Sequence, residues 1–217
     1  MNGALGPRQR VQALAQGRGD GGGIAVPLAL RLAARIQERD WEDFTCDPTQ
    51  LANGLRDLVD ACAPDGVPVI TPNVLLEGGA DVIGSEQARA ALEATRRLRT
   101  SMGERVALVA CLPGPTALAG GGETLLDVTK AFLGAGVDAV VVLEGHDEPS
   151  DLGTLANVAR FHRAVALGCC DVQGLPRVER VPLTEPRPGV GIVLTDEELP
   201  RQIDVTDLED WVDAVRG

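Results

Sequence analysis

The 217-residue chain contains no tyrosine, two tryptophans, three phenylalanines and one lysine, Lys130. With so few aromatics the core has to be built from Leu, Val, Ile and Ala. With one lysine, nearly all positive charge is arginine, whose planar fork suits bidentate recognition of oxyanions. No run of 18 or more apolar residues occurs, which leaves no candidate for a membrane-spanning helix. The N-terminus lacks the basic-then-apolar order of a signal peptide. Five cysteines (46, 62, 111, 169 and 170) are an odd number without an export signal, and they are read as reduced thiols of a cytoplasmic protein. The net charge of −12, with no basic aromatic stripe, argues against a nucleic-acid partner. No GxSxG, GxxxxGKS, HExxH or paired-carboxylate signature is present. A formal GxGxxG (Gly17, Gly19, Gly22) precedes the first strand instead of following it and is set aside as chance. Adjacent Cys169 and Cys170 cannot easily share one tetrahedral zinc ion. Neither a metal nor a cofactor is therefore expected.

What is present is an alternation of apolar runs and amphipathic segments. Residues 1–23 are polar and glycine-rich and read as a flexible lead-in; residues 24–217 read as one domain. Ile24 to Leu30, Gly66 to Thr71, Arg105 to Cys111, Gly136 to Leu143 and Gly191 to Leu194 read as buried strands, with a sixth near 169–181. Helices are expected after Asp47-Pro48, where Leu51, Leu55, Leu58, Val59 and Cys62 recur at helical spacing. Further helices are expected from Ser85 to about residue 100, over Leu125 to Leu133, from Leu152 to Leu167 before Gly168, and from Thr206 to Val215. Continuous apolar strands each followed by a helix mean parallel β/α architecture. A complete (β/α)8 barrel typically needs about 250 residues, so the chain is short for one.

In such a fold, ligands meet the C-terminal ends of the strands. Arg31 and Arg35 leave the first strand four residues apart, on one face of a helical turn. They are suited to gripping a carboxylate or phosphate, although the same spacing also describes a solvated helix face. Asn73 follows the second strand, and Gly114-Pro115-Thr116 forms a turn after the third, where backbone could approach a ligand. Glu144 and His146 follow the fourth, and Asp196 the last. A carboxylate beside a histidine provides acid–base chemistry. His162 reads as structural. Charge is uneven, with six arginines in residues 1–40 and eight acids in 196–213.

Several of these stretches, in this order, resemble the uroporphyrinogen decarboxylase superfamily, which also includes corrinoid-linked methyltransferases. Arg31-Leu32-Ala33-Ala34-Arg35 resembles its R-Q-A-G-R, whose arginines bind substrate carboxylates. Asp47-Pro48 with the leucine-rich helix, and Asp65-Gly66-Val67, resemble the approach to its second strand. Leu108 to Thr116 resembles the strand leading into its G-x-P-x-T-L turn, and Gly134 to Ala139 its G-A-D-A. Gly191 to Arg216 resembles its last strand and helix, including Val212-Asp213-Ala214-Val215. The resemblance implies a (β/α)8 TIM-barrel-like fold, here incomplete with two or three β/α units missing, and a homodimer. It departs where chemistry is concerned. Asn73 stands where the decarboxylase has aspartate, Asp196 or Glu197 replaces a histidine, and the H-x-C zinc motif of the methyltransferases is absent. The reading is a divergent, decarboxylase-like enzyme (a lyase or a transferase) acting on a small carboxylate-bearing molecule in a specialised biosynthetic step. Arg31, Arg35, Asn73, Gly114 and Thr116 would bind that anion, and Glu144, His146 and Asp196 would move protons. The alternative is a non-catalytic binding or partner protein on the same scaffold, with corrinoid-linked methyl transfer placed third.

Overall fold

Parallel pairing throughout puts the molecule in the α/β class. The computed structural model describes residues 5–19, 21–79, 81–143, 152–169 and 175–217. In chain order the elements are α1 (Pro7–Ala15), β1 (Gly23–Val26), α2 (Leu30–Ile36), α3 (Trp41–Cys46), α4 (Pro48–Cys62), β2 (Gly66–Ile70), α5 (Pro72–Glu77) and α6 (Glu86–Met102). They continue with β3 (Ala107–Pro113), α7 (Gly121–Ala135), β4 (Ala139–Leu143), α8 (Gly153–Phe161), β5 (Val165–Gly168), β6 (Glu179–Val181), β7 (Gly191–Thr195) and α9 (Val205–Arg216).

The strands form a four-stranded sheet in the order β2-β3-β4-β5 and a three-stranded sheet in the order β1-β7-β6. No continuous ladder closes them into a barrel among the described residues. At one seam Asp65 N donates to Ala25 O at 3.0 Å, and the Asp65 carboxylate accepts from Ala25 N at 2.9 Å. At the other, pairing is reduced to the bridge between Gly168 and Arg177, with Gly168 N to Pro176 O at 2.9 Å and Val178 N to Gly168 O at 2.8 Å. The arrangement is a parallel α/β scaffold of TIM-barrel-like kind.

Side chains alternate across the strands because the pleat has a period of two. Ala107, Val109 and Cys111 of β3 join Ile24, Val26, Val141, Val178 and Leu194 in an inner cluster. Leu108, Ala110 and Leu112 face outward into the larger cluster with the helices. The helix layer is tight at one crossing: a Cβ on Gly54 of α4 would stand 2.5 Å from Phe44 Cε2 and 3.1 Å from Ala33 O, so only glycine lets α2, α3 and α4 meet there.

Three sequence expectations need correction. Residues 7–15 are not a flexible lead-in. They form α1, whose Val11 is fully buried in the inner cluster beneath the N-terminal strand ends. Arg8 Nε donates to Asp138 Oδ1 at 3.0 Å, and Arg10 Nη2 to Gly23 O at 2.9 Å. Composition concealed this helix because only one of its residues is buried. The first strand ends at Val26 and not at Leu30, because the Leu28 amide turns to the Thr195 hydroxyl at 3.1 Å and α2 begins at Leu30. The helix expected to run to Leu167 stops at Phe161. Arg163, with φ 59°, reverses the chain, Ala164 N returns to Ala159 O at 2.9 Å, and Val165–Gly168 becomes β5. Seven strands thus stand in the described residues, against the five or six expected.

Candidate functional site

Among the described residues, the floor of the sheet is occupied by ion pairs. Asp138, buried just before β4, accepts from Arg8, from Leu108 N at 2.9 Å and from Arg99. Asp65, buried just before β2, accepts from Arg216 Nε at 3.2 Å and Nη2 at 3.1 Å. These carboxylates tie α1, α6 and α9 to strand starts and are structural.

The C-terminal ends present a different picture, centred on Glu198. β7 ends at Thr195, whose hydroxyl accepts from Leu28 N and donates to Glu197 O at 2.8 Å. Leu199 N donates to Leu28 O at 2.8 Å, and the Leu199 side chain is buried. This anchoring turns the Glu198 side chain inward until it is only 10% exposed, while Asp196 and Glu197 remain exposed. Across from it, β2 ends at Thr71, and Pro72 at the first position of α5 redirects the chain. Asn73 Nδ2 then donates to Glu198 Oε2 at 3.0 Å, and the Thr71 hydroxyl reaches the same oxygen at 3.5 Å.

Glu198 Oε1 is buried and has no hydrogen-bond partner among the described residues. The nearest cation is Arg31, whose Nε lies 3.9 Å away. Arg31 leans over Trp41, with Cζ 4.4 Å from the ring centroid, a cation–π contact. Trp41 Nε1 is in turn held by the Glu77 carboxylate at 3.3 and 3.4 Å. Burial pushes the Glu198 carboxyl above the ordinary glutamate range, with the negative charge of Glu77 adding to it. Asn73, Arg31 and Thr71 oppose the rise without cancelling it. The result is a carboxyl that can hold a proton closer to neutrality than a solvated one, with one oxygen uncommitted.

Below Glu198 the inner face carries Cys111 and Arg180. Arg180 of β6 lies in register with Leu194 and its Nε reaches Thr195 O at 3.5 Å. Burial pushes the Cys111 thiol up to about 12, against a smaller downward pull from Arg180 and together with an upward push from Glu198. A thiol so protonated is neither a nucleophile nor a ready metal ligand. Among the described residues no group of three or more His, Cys, Asp and Glu could hold a metal.

Of the residues expected to form the site, Arg31 and Asn73 meet around Glu198. Arg35, four residues on, instead donates from Nη2 to Ile203 O at 2.7 Å, which fastens α2 to the segment before α9. Gly114 is buried with φ −66° and ψ 163°, so its place requires no glycine-specific conformation. Thr116 is exposed in the turn after β3. Glu144 and His146 lie outside the described residues. Sequence reasoning missed Glu198, Trp41 and Arg180. Three consecutive acids follow β7, and only the buried Leu199 marks which of them turns inward. The geometry also accounts for the amide at position 73: an aspartate there would set a second carboxylate against Glu198.

No family model matches the chain, and no curated protein matches it. The fold itself has a counterpart. A solved structure of a methyltransferase from Methanosarcina mazei superposes with a TM-score of 0.70 at 12% identity, covering 97% of this chain and 98% of that one. At that identity the likeness establishes the fold alone. It carries no information on superfamily, substrate or reaction.

Proposed function

We propose that the strand-end site binds and converts a small carboxylate-bearing molecule, with Arg31 as its anion anchor and Glu198 as its acid–base group. The observation that carries this reading is the buried, unpartnered Oε1 of Glu198 facing Arg31. An uncompensated polar atom in that setting costs about 1–3 kcal/mol. A ligand hydroxyl, amide or protonated carboxyl would meet it, and the raised carboxyl pKa suits proton transfer near neutral pH. Arg31, half-exposed and stacked on Trp41, keeps guanidinium donors for a ligand carboxylate. Asn73 is the positioning residue that orients Glu198. Asp196, exposed to solvent, is replaced in the proton-transfer role by Glu198.

Calorimetric titration with acetate, succinate and citrate tests the binding half of the reading. The tightest of them should weaken at least tenfold in Arg31→Lys, with the fold intact. Equal affinity in wild type and Arg31→Lys would remove the anchor. A second reading, methyl transfer, is favoured by the fold shared with the Methanosarcina mazei methyltransferase. It predicts methyl exchange with a methylated corrinoid, which the carboxylate reading does not. On either reading the scaffold is an abbreviated barrel that works as a homodimer, and a 22.7 kDa species in light scattering would refute the dimer.

A further inference from the structure

Strand side chains alternate across the pleat, and the inner face of the described strands is uncharged at every position but one. Ile24, Val109, Val141, Leu167, Val178 and Leu194 are typical of it. The other inward positions carry glycine, proline, cysteine or further aliphatic side chains. The exception is Arg180 of β6. It follows Val178 of the inner cluster by two residues and lies in register with Leu194 of that cluster. Its neighbours in alternation, Val181 and Val193, pack outward with the helices. Arg180 is thus the one charged side chain that the described strands turn inward.

A guanidinium cannot shed its charge, and apolar walls do not compensate it. Among the described residues Arg180 makes a single, long hydrogen bond, from Nε to Thr195 O at 3.5 Å. Its two terminal nitrogens remain as a planar fork matched to a carboxylate. The Thr195 contact also fixes where the side chain sits. Thr195 closes β7, and its hydroxyl donates to Glu197 O at 2.8 Å, immediately before Glu198. Arg180 and Glu198 act in opposite senses on the thiol of Cys111, in the C-terminal half of β3. Both charges therefore lie within electrostatic reach of one sulfur. Arg31 approaches the same Glu198 from α2.

We infer that Arg180 is a second anion anchor of the Glu198 site, and that the molecule bound there carries two carboxylates, one held by Arg31 and the other on the inner face by Arg180. The inference rests on the carboxylate reading of that site and narrows its substrate class. One guanidinium balances one negative charge, which selects a carboxylate over a phosphate group of about −1.5 to −2. A cation placed where an apolar side chain would pack at least as well costs stability, a pattern expected of a binding residue.

The probes are acids paired by chain length, butyrate with succinate and valerate with glutarate, titrated calorimetrically into the full chain at low salt. Wild type should bind at least one dicarboxylate about tenfold or more tighter than its monocarboxylate partner, the scale of one charge-assisted hydrogen bond. Arg180→Met should remove that preference. Arg97→Gln, which removes an exposed charge paired with Glu93 on α6, should keep it. A preference absent from wild type, or undiminished in Arg180→Met, overturns the inference. Stability gives a readout that a structural role would move in the other direction. Methionine is apolar and flexible enough to occupy the same space, so the urea midpoint of Arg180→Met should equal or exceed that of wild type. A lower midpoint, or failure to fold, would make Arg180 structural and overturn its role as an anchor. The two anchors fail separately. If the preference follows Arg180 while Arg31→Lys leaves affinity unaltered, the inner anchor stands and the Arg31 anchor falls. If Arg31→Lys weakens both acids of a pair and wild type prefers neither, the Arg31 anchor stands and the present inference falls.

Discussion

Removing the carboxylate of Asp138 should cost more stability than any single change at the strand-end site. In Asp138→Ala the buried Leu108 amide loses its acceptor at 2.9 Å, a loss of about 1–3 kcal/mol. Arg99, with 17% of its side chain exposed, keeps carbonyl partners at Gly136 and Gly103 but loses its counter-ion. Breaking a buried pair from one side costs about 3–5 kcal/mol, and the two losses overlap because they share one carboxylate. Arg8 is 27% exposed and also reaches Glu104, so its share is screened and small. The total expected for Asp138→Ala is about 3–5 kcal/mol. With a urea m-value of about 2–3 kcal/mol/M, the midpoint should fall by about 1–2 M. Urea unfolding followed by tryptophan fluorescence measures it, because Trp211 is fully buried. Arg8→Ala should cost only about 1 kcal/mol. A midpoint for Asp138→Ala that does not move from that of wild type would refute the claim that this carboxylate organises the floor of the sheet.

Other outcomes follow from the same contacts. Gly54→Ala should destabilise by about 1–3 kcal/mol, the cost of overpacking, because its Cβ would meet Phe44 and the Ala33 carbonyl; unchanged thermal stability would show that α2 and α4 can part freely. Cys111 and Cys62, whose thiols burial pushes up to about 12 and about 11, should resist iodoacetamide at pH 8 in the folded protein, and alkylation of Cys111 before Cys46 would contradict the packing. Glu198 is a carboxyl whose folded pKa lies above its unfolded one, so its contribution to stability is full below the unfolded value and is lost as pH rises through the folded value. Glu198→Gln should accordingly flatten the fall in stability over that interval, as read by chemical denaturation at a series of pH values; an unaltered pH profile would count against a buried carboxyl.

How far the sequence carried this account differs between fold and site. Apolar runs located β2, β3, β4 and β7 because strands buried on both faces are continuous in sequence. The capping signals at Asp47 and Ser85 were equally legible: Asp47 Oδ1 accepts from Thr49 N and Gln50 N at 2.7 and 2.9 Å, and Ser85 Oγ from Ala88 N at 3.1 Å. The Val165–Gly168 strand was hidden because Ala164 to Leu167 continues the helical periodicity of the segment before it. Only the left-handed Arg163 separates the two. At the site, Arg31 and Asn73 were readable because each lies in the first turn of the helix that follows the C-terminal end of a strand. Glu198 was not, because its inward turn depends on backbone bonds between Leu199 and Leu28, residues 171 positions apart (199 − 28). The same long-range closure explains why Arg35, at ideal spacing from Arg31, ends on the Ile203 carbonyl instead.

The role given to Glu198 requires a carboxyl that holds its proton above the ordinary glutamate range, and carbon-detected titration of side-chain-labelled glutamate measures this directly. The account predicts one resonance titrating above the others and missing from Glu198→Gln. That resonance should move still higher in Asn73→Ala and in Arg31→Gln, since both partners favour the ionised form. If every glutamate titrates in the ordinary range, or if the displaced resonance survives Glu198→Gln, Glu198 is not the acid–base group of this protein.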